Sequence, residues 1–304
     1  MELRHLRYFV AVAEERSFSR AAERLGIKQP PLSTQIRQLE KEMETQLFRR
    51  LTRGVELTAA GKLFLEQTRA VLRQIEQAKI DVKRRARGET GQISVGAADA
   101  CYFHPRVHLI ASEFFKSYPD VVTSAEESNT ATLIASLHAG KLDAAFVRSP
   151  TAEFDSLALE PVAEEDTLAA LVEGHPLRGS SSISLTSFAK EKIIITPRAL
   201  NTGLHDSVIA ACQHAGFEPV LGREAPSIIA MIAMVADGFG ASIVPQSLSR
   251  LRLDGVIYLP IRGHRPAAPI YLAYRLDERS PTVRNLVSIV RRASASVTRT
   301  KTSA

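Results

Sequence analysis

The chain of 304 residues is too long for one small domain and suits two or three. Its 45% hydrophobic and 24% charged residues are typical of a globular protein, and its two cysteines exclude a disulfide framework and a cysteine-based metal site. The N-terminus has no secretory signal pattern, and the longest apolar stretch, residues 228–236, is far shorter than the roughly 20 residues that cross a bilayer. We therefore expect a cytoplasmic protein without a membrane anchor.

Positive charge is concentrated in the first third of the chain. Residues 1–90 contain 19 Lys and Arg against 12 Asp and Glu, a net charge of +7, whereas the remaining residues contain 20 against 21, a net charge of −1. A basic module joined to a near-neutral remainder is typical of a protein that binds a polyanion through one part only. A solvated basic helix has the same composition, so charge alone leaves nucleic acid and an ordinary surface as alternatives.

Two short amphipathic helices are predicted between residues 17 and 43. The stretch SFSRAAERLGI has Ser17 as an N-cap and Gly26 as a helix stop. The second helix begins at Pro30 and Pro31, because proline is tolerated in the first turn of a helix and disrupts later turns. Its apolar stripe consists of Leu32, Ile36, Leu39 and Met43. Two such helices joined by a tight turn form a helix-turn-helix.

The opposite face of the second helix carries the side chains that we expect to contact DNA. A recognition helix enters the major groove with its N-terminal residues at the base edges, where Gln pairs with adenine and Arg with guanine. The predicted DNA-binding residues of this helix are Gln29, Pro30, Pro31, Ser33, Thr34 and Arg37. The alternative is a helical hairpin with a solvated outer face.

The stretch LFRRLTRGVELTAAG favours DNA binding further, because it is typical of a β-hairpin wing that turns at Gly54. From this wing Arg53 is expected to approach phosphates or the minor groove.

Residues 58–87 form a single predicted helix about 45 Å long. Apolar and small residues repeat along it at spacings of four and three, a period of 3.5 that is typical of a seam with a partner helix. The predicted dimerisation seam consists of Phe64, Thr68, Val71, Ile75, Ala78 and Val82. The basic, glycine-containing stretch KRRARGETGQ then ends the helix as a hinge.

The rest of the chain contains an internal repeat. Beyond Gly91 short apolar runs alternate with helices, which predicts an α/β domain with a largely parallel sheet. Strands at ISVGA and LDAAFV enclose two helices, and about 100 residues later IIITP and ASIVP enclose two more. Two β-α-β-α-β halves predict two lobes that face each other across a cleft. Ligands of such sheets bind at the carboxyl ends of strands and at helix N-termini.

The candidate cleft residues follow the strands or begin the helices. They are Ala98, Asp99, Ala100, Cys101, Asn129, Thr130, Arg148, Pro197, Arg198, Asn201 and Thr202. Arg148 directly follows an apolar strand, so we expect it to point at the cleft and hold a carboxylate; the alternative is a surface arginine at a strand end. Cys101 is either a redox sensor or a small residue that is buried or faces the ligand.

Nothing in the sequence favours catalysis. The nucleotide-binding, nucleophile-elbow and zinc-protease motifs are absent, and the eight histidines are scattered. We therefore expect no enzyme activity and no cofactor.

Several of these stretches resemble the LysR-type transcriptional regulators, and the resemblance covers nearly the whole chain. The N-terminal motifs are LRYFVAVAEERSFSRAAERLGIKQPPLSTQIRQLEKEM, LFRR and ELTAAG, and weaker ones are AGKLDAAF and GFGASIVP. The resemblance implies an α/β protein with an all-α N-terminal part: a winged helix-turn-helix, a long linker helix and a two-lobed effector domain like a periplasmic binding protein. It also implies a homotetramer built as a dimer of dimers, with promoter DNA and RNA polymerase as partners. The effector that we expect is a small organic anion, because Arg148 and the helix N-termini of the cleft favour negative charge.

By matching position, the resemblance places the base-reading residues on the helix residues named above and the wing on Arg53. It places effector contacts near Asp99 to Cys101, Thr130, Arg148 and Pro197 to Thr202. Members that bind acidic effectors often carry Ser or Thr in the first of these loops, where this chain has Asp99.

The expected domains are a winged helix-turn-helix at 1–57, a linker helix at 58–88 and an effector domain at 89–304. Within the last, one lobe covers about 92–163 and 268–304, and the other covers about 164–267. A small-molecule binding protein, or an enzyme with an accessory DNA-binding-like domain, is the alternative. The first has no use for a helix-turn-helix, and the second needs a reactive constellation that the sequence lacks.

Overall fold

The computed structural model describes residues 1–52, 54–148, 154 and 156–301, apart from the side chains of Asp99 and residues 296–301. Arg53, the predicted wing residue, lies outside the described residues. The chain forms two compact units, Met1–Arg84 and Arg85–Ala304. Within the described part, no helix has both the length and the hydropathy needed to span a membrane.

The first unit contains short helices, a β-hairpin and most of a long helix. Its elements are α1 Leu3–Glu15, α2 Phe18–Arg24, α3 Gln29–Glu42, β1 Phe48–Arg50, β2 Val55–Leu57 and α4 Ala59–Ala86. The predicted N-cap of α2 is confirmed, because the Ser17 hydroxyl accepts the Arg20 N–H at 3.4 Å. Gly26 lies within the turn between α2 and α3 and has a φ of +66°, a left-handed conformation that favours glycine.

The recognition helix α3 begins one residue earlier than predicted, at Gln29. Pro30 and Pro31 therefore occupy its second and third positions, where a missing N–H leaves no helical hydrogen bond unmade. Three residues of the predicted stripe are buried: Leu32, Ile36 and Leu39. The prediction for Met43 is wrong, since this residue caps the C-terminus of α3 and its exposed fraction is 38%.

The hairpin β1–β2 turns at Gly54, as predicted, and two features of the backbone require glycine at this position. The φ of Gly54 is +93°, and a Cβ there would lie 2.7 Å from the carbonyl oxygen of Arg16. The next residue, Val55, donates its N–H to the same carbonyl at 3.1 Å. The turn is therefore fixed against the end of α1.

The long helix α4 begins where the hairpin ends. Thr58 caps it, because the Thr58 hydroxyl accepts the Gly61 N–H at 2.9 Å and donates to the carbonyl of Gln46 at 2.8 Å. A Cβ on Gly61 would lie 2.1 Å from the carbonyl oxygen of Leu47, so only glycine fits there without a shift of the backbone. The threonine and glycine of the TAAG stretch thus attach α4 to the strand before it.

The predicted seam of α4 divides into two parts. The Phe64 ring packs on Phe9, with ring centroids 4.9 Å apart, and Thr68 is 2% exposed. Thr68 is therefore buried within the first unit, whereas the half-buried Phe64 ring packs against its core. Val71 and Val82, in contrast, are 41% and 70% exposed.

The second unit contains the α/β elements that the repeat predicts. In chain order they are β3 Gly91–Ala98, α5 Pro105–Ser117, β4 Val121–Ser128, α6 Thr130–His138, β5 Ala144–Arg148, β6 Leu157–Ala163, β7 Thr167–Val172, β8 Ile183–Ser184, β9 Lys192–Ile195, α7 Thr202–His214, β10 Val220–Glu224, α8 Ile228–Ala236, β11 Ser242–Pro245, β12 Val256–Arg262, β13 Ile270–Arg275 and α9 Pro281–Lys301.

The first lobe is built on a five-stranded sheet with the order β4-β3-β5-β13-β6. Strand β3 pairs in parallel with β4 and β5, and β13 runs antiparallel to β5 and β6. The second lobe has a sheet with the order β11-β7-β12-β8 and a parallel pair β10-β9. An isolated parallel bridge from Ile193 to Ala241 places β9 beside the start of β11.

The two lobes therefore repeat one arrangement: β3 lies between β4 and β5, and β9 lies between β10 and β11. Each lobe has its own apolar core. The chain passes between the lobes twice, after β6 and after β12.

Candidate functional site

The exposed surface of α3 carries most of the predicted DNA-binding residues. Five of the six predicted positions on this helix are exposed: Gln29, Pro30, Pro31, Thr34 and Arg37. The Thr34 hydroxyl donates to the carbonyl of Pro30 at 3.1 Å, which directs this side chain toward the start of the helix. The N-terminal turns of α3 thus present an amide, a hydroxyl and a guanidinium to solvent.

Ser33 is the exception, and its prediction as a free DNA-contacting hydroxyl is corrected. It is 4% exposed, and its Oγ accepts from Arg37 Nη2 at 3.4 Å and from Arg50 Nη2 at 3.2 Å. Ser33 lies on the side of α3 that faces the hairpin, since Arg50 of β1 reaches its hydroxyl. A hydroxyl that is buried and occupied by two guanidiniums is a support for those side chains.

Arg50 is a candidate functional residue to which the sequence analysis, which singled out Arg53 among the arginines of the wing, assigned no role. It lies on β1, and its Cζ is 5.5 Å from the centroid of the Phe18 ring, within cation–π range. Its neighbour Arg49 pairs with Glu56 across the hairpin. Since successive strand residues point to opposite faces, the alternation of Arg49 and Arg50 in LFRR is a signal that distinguishes them.

A groove of about 670 Å³ separates α3 from the hairpin. Its lining comprises Phe18, Ile36, Arg37, Glu40, Gln46, Phe48, Arg49, Arg50 and Thr58. The Glu40 Oε1 atom accepts the backbone N–H groups of Leu47 at 2.9 Å and Phe48 at 3.0 Å. Glu40 thereby fixes the hairpin to the recognition helix, a role that its sequence position did not reveal.

In the second unit, two predicted residues cap the helices that begin at the ends of strands. The Asn129 Oδ1 atom accepts the Thr132 N–H at 2.9 Å at the start of α6, and the Asn201 Oδ1 atom accepts the Leu204 N–H at 3.4 Å at the start of α7. Thr130, the first residue of α6, is 8% exposed, and within the described part of the chain its buried hydroxyl makes no hydrogen bond.

Arg148 is buried, with an exposed fraction of 1%, so the alternative of a surface arginine is wrong. The expectation of a guanidinium open to the cleft also needs correction, because Arg148 Nη1 lies 2.8 Å from Glu165 Oε2 and donates to the carbonyl of Ala268 at 2.9 Å. Glu165 Oε1 in turn accepts the Ser247 N–H at 2.5 Å. The carboxylate that Arg148 holds here is the chain's own, at the point where both connections between the lobes pass.

Arg198, in the loop before α7, is also paired with a carboxylate of the chain itself. Arg198 is exposed and donates twice to the Asp206 carboxylate, at 2.8 and 2.7 Å. The Arg198 hydrogen bonds lower the pKa of Asp206 below its usual value. The Thr202 hydroxyl donates to the carbonyl of Arg198 at 3.0 Å, and Pro197 is half-buried at the start of the loop.

The loop after β3 is part of the protein core, which corrects the expectation that its small side chains line the cleft. Ala98, Ala100 and Cys101 are all 0% exposed. Ala98 and Cys101 pack in the first lobe, whereas Ala100 packs in the second, so a short 3-10 helix at Asp99–Phe103 joins the two cores. The side chain of Asp99 lies outside the described part.

A cavity of about 510 Å³ lies where the two lobes meet, beside Glu165. It is lined by His104, Pro105, Glu164, Glu165, Asp166, Gln246, Ser247, Ser249, Arg250 and Arg265, none of them predicted site residues. Burial lowers the pKa of His104, and the charge of Arg148 acts in the same direction while Glu165 opposes it. The His104 Nδ1 atom accepts the Arg106 N–H at 3.2 Å, which caps α5.

Comparison with protein families identifies both units. The LysR substrate binding domain matches residues 86–295, and the lysR family of bacterial regulatory helix-turn-helix proteins matches residues 3–62. The transcriptional regulator BudR of Raoultella terrigena is 40% identical over 289 residues, covering 95% of this chain and 100% of BudR. The transcriptional regulator AlsR of Bacillus subtilis is 36% identical over 303 residues, covering 100% of this chain and 99% of AlsR.

A solved structure extends the similarity to the full length of the fold. Full-length CbnR in complex with its target DNA superposes with a TM-score of 0.81 and 30% identity, over 96% of this chain and 99% of that chain. Both BudR and AlsR are transcriptional regulators of the helix-turn-helix type. The chain belongs to the LysR family of transcriptional regulators, with an N-terminal DNA-binding helix-turn-helix and a C-terminal effector-binding domain.

Proposed function

We propose that this regulator binds promoter DNA through α3 and the hairpin, as a homo-oligomer, and that a small organic anion in its effector domain changes how the DNA is held. The observation that carries the proposal is the exposed polar and cationic surface of α3 in a chain similar to a regulator solved on its target DNA. We place Gln29, Pro30, Pro31 and Thr34 at base edges, because the N-terminal residues of a recognition helix enter the major groove first.

Dimerisation is proposed for the part of the seam on α4 that follows Thr68. Its members are the exposed residues Val71, Ala78 and Val82 and the half-buried Ile75. Apolar side chains at a period of 3.5 on a solvated helix face are stabilised by a partner helix of the same kind. Further contacts between effector domains would join two dimers into the tetramer.

The variant Val71→Glu with Ile75→Lys tests the seam, because it places two charges where a partner helix would bury them, at a cost of several kcal/mol. Sedimentation should show a smaller assembly. The matched control is Glu66→Lys with Arg73→Glu, which changes charges on exposed positions of the same helix and should leave the assembly intact.

The proposed effector carries a carboxylate and lies near the starts of α6 and α7. Helix N-termini present N–H groups and a partial positive charge to an anion. The unbonded hydroxyl of Thr130 supports this placement, because a buried polar group without a partner is costly.

Arg148 is the candidate switch of that site. An anionic effector that approaches it competes with Glu165 for the guanidinium, and a change in this pair alters both connections between the lobes. An effector acts only through different affinities for two arrangements of the protein.

Contact with RNA polymerase is the remaining part of the proposal, since a transcription regulator bound at a promoter lies beside the polymerase.

A mobility-shift assay with the DNA upstream of the protein's own gene tests promoter binding. The control is unrelated DNA of equal length at the same salt concentration, because non-specific binding depends steeply on salt. Equal affinity for both DNA molecules would contradict promoter recognition.

A panel of small mono- and dicarboxylates tests the effector site. A member that binds the folded state should raise the unfolding temperature of the full chain.

A further inference from the structure

We propose that Arg37 and Arg50 bind one backbone phosphate of duplex DNA together, and that Ser33 is the positioning residue that holds them side by side. The inference rests on the proposed promoter binding and gives Arg37 a role different from base reading. Arg50 is thereby assigned to the DNA interface.

The two guanidiniums converge although they come from different elements. Arg37 lies on α3 and Arg50 on β1, and both donate through Nη2 to the single Oγ atom of Ser33, at 3.4 and 3.2 Å. A serine oxygen has two lone pairs, so it accepts both donors. Ser33 itself is 4% exposed, whereas both arginines are exposed. The arrangement is a buried acceptor with two cations above it.

No carboxylate neutralises this arginine pair among the described residues. Other arginines of the first unit have acidic partners, as Arg24 does with Glu14 at 2.9 Å. Glu40, the acidic residue of the adjacent groove, uses its Oε1 atom for two backbone N–H groups of the hairpin. Two like charges side by side repel each other, and an anion bound between them removes that repulsion.

A phosphate is the anion that fits this arrangement best. A guanidinium that reads guanine uses its two donors on one base edge and has no need of a second cation beside it. A phosphate instead offers several oxygens and a full negative charge, so it accepts from two guanidiniums at once. The Phe18 ring further limits the freedom of Arg50, since it lies 5.5 Å from the Arg50 Cζ atom.

The consequence concerns the register of the protein on DNA. One phosphate bound by α3 and the hairpin together would fix the angle at which the helix enters the groove, because phosphate contacts position a protein and base contacts specify the sequence. Arg37 and Arg50 should therefore matter for every DNA sequence, whereas Gln29 should matter for the operator alone.

The salt dependence of DNA binding tests whether the two arginines share a phosphate. Each neutralised phosphate contributes about −0.9 to the slope of log affinity against log salt. We expect the variant Arg37→Ala with Arg50→Ala to lose about 0.9 of the slope per bound DNA-binding unit, on operator and on unrelated DNA alike. A loss of about 1.8 would mean two separate phosphates and would overturn the shared site.

Methylphosphonate substitution locates the phosphate. One neutral linkage in the operator should weaken wild-type binding by about tenfold and leave binding by the double variant almost unaffected. Arg37→Ala and Arg50→Ala should each reduce the effect of that same linkage. Two different linkages, or none, would contradict the proposal. So would an effect of Arg37→Ala that is confined to one base pair, since that result would show base reading.

Arg49→Ala is the matched control, because Arg49 is the adjacent exposed arginine on the same strand and is paired with Glu56. It should bind DNA with less than a twofold change. Arg50→Lys keeps the charge and should recover most of the salt slope while losing affinity, which separates a phosphate contact from a defect of folding. If the wild type binds its operator no more tightly than unrelated DNA, the proposed promoter recognition is wrong. If the wild type prefers its operator and Arg50→Ala binds DNA with the same affinity and salt dependence, only the shared phosphate site is wrong.

Discussion

The arginine pair of the first unit and the buried Arg148 of the second unit have opposite environments. In the first unit Arg37 and Arg50 are exposed beside a buried hydroxyl, and among the described residues no carboxylate pairs with them. In the second unit Arg148 is buried and held by Glu165 at 2.8 Å. The first arrangement has positive charge ready for a polyanion from outside. The second is already neutralised, so an external anion must displace an internal one, which makes that site suited to a conformational response.

The largest expected effect is on the buried pair. Arg148→Ala leaves Glu165 as an uncompensated buried charge and should lower the free energy of unfolding by about 3–5 kcal/mol. Arg50→Ala, at an exposed position, should change it by less than about 0.5 kcal/mol. Denaturant unfolding of the full chain measures both.

A double variant separates the charge from the packing. Arg148→Met with Glu165→Leu removes both charges and should regain most of the stability that Arg148→Ala loses, because apolar side chains of similar volume replace a buried pair well. Equal stability of Arg148→Ala and wild type would end the contrast between the two units.

The second prediction concerns DNA recognition without a change in stability. Gln29→Ala should weaken operator binding by about 1–3 kcal/mol, since a bidentate contact to a base is lost. The unfolding transition should stay in place because Gln29 is exposed. Gln38→Ala is the control, as Gln38 is an exposed glutamine later on the same helix. Fluorescence anisotropy with operator DNA distinguishes the two, and equal affinities of these variants would argue against base reading by Gln29.

A smaller effect is expected from His104, at the junction of the lobes. Burial lowers its pKa, with Arg148, Arg106 and Arg250 acting in the same direction and Glu165 opposing them. The unfolded chain then takes up a proton before the folded chain as the pH falls. Stability contributed by neutral His104 is therefore complete above its ordinary pKa of about 6.5 and decreases below it.

His104→Asn should flatten the decrease in unfolding temperature between about pH 7 and about pH 5.5. Asparagine keeps the N-cap of α5, so the comparison isolates titration from capping. Equal decreases in the unfolding temperature of both proteins across this pH range would show that the titration of His104 does not affect stability.

The smallest effect is expected for the exposed ion pair of Arg198 with Asp206. Their side chains are 64% and 46% exposed, so water and salt screen the attraction. Arg198→Ala should leave the midpoint of unfolding unchanged within error. A loss close to that of Arg148→Ala would show that burial does not explain the difference between these arginines.

Sequence alone predicted the features that depend on neighbours along the chain. The cap at Ser17, the early prolines of α3 and the buried stripe around Ile36 follow from helical spacing and from the missing proline N–H. The repeated order of strands and helices in the second unit follows from the same local periodicities. The first residue of α3 and the exposure of Met43 were missed because helix ends depend on their surroundings.

Only the tertiary structure decided which side chains neutralise or bury one another. Arg148 donates to a carbonyl 120 residues away, Arg50 reaches a serine 17 residues away, and Ala100 enters the core of the lobe that follows its own. Phe64 has the spacing of a seam, yet it packs on Phe9 at the other end of the unit's sequence. Helical and strand periodicity state which face a residue occupies, whereas its partner on that face is set by how distant segments pack.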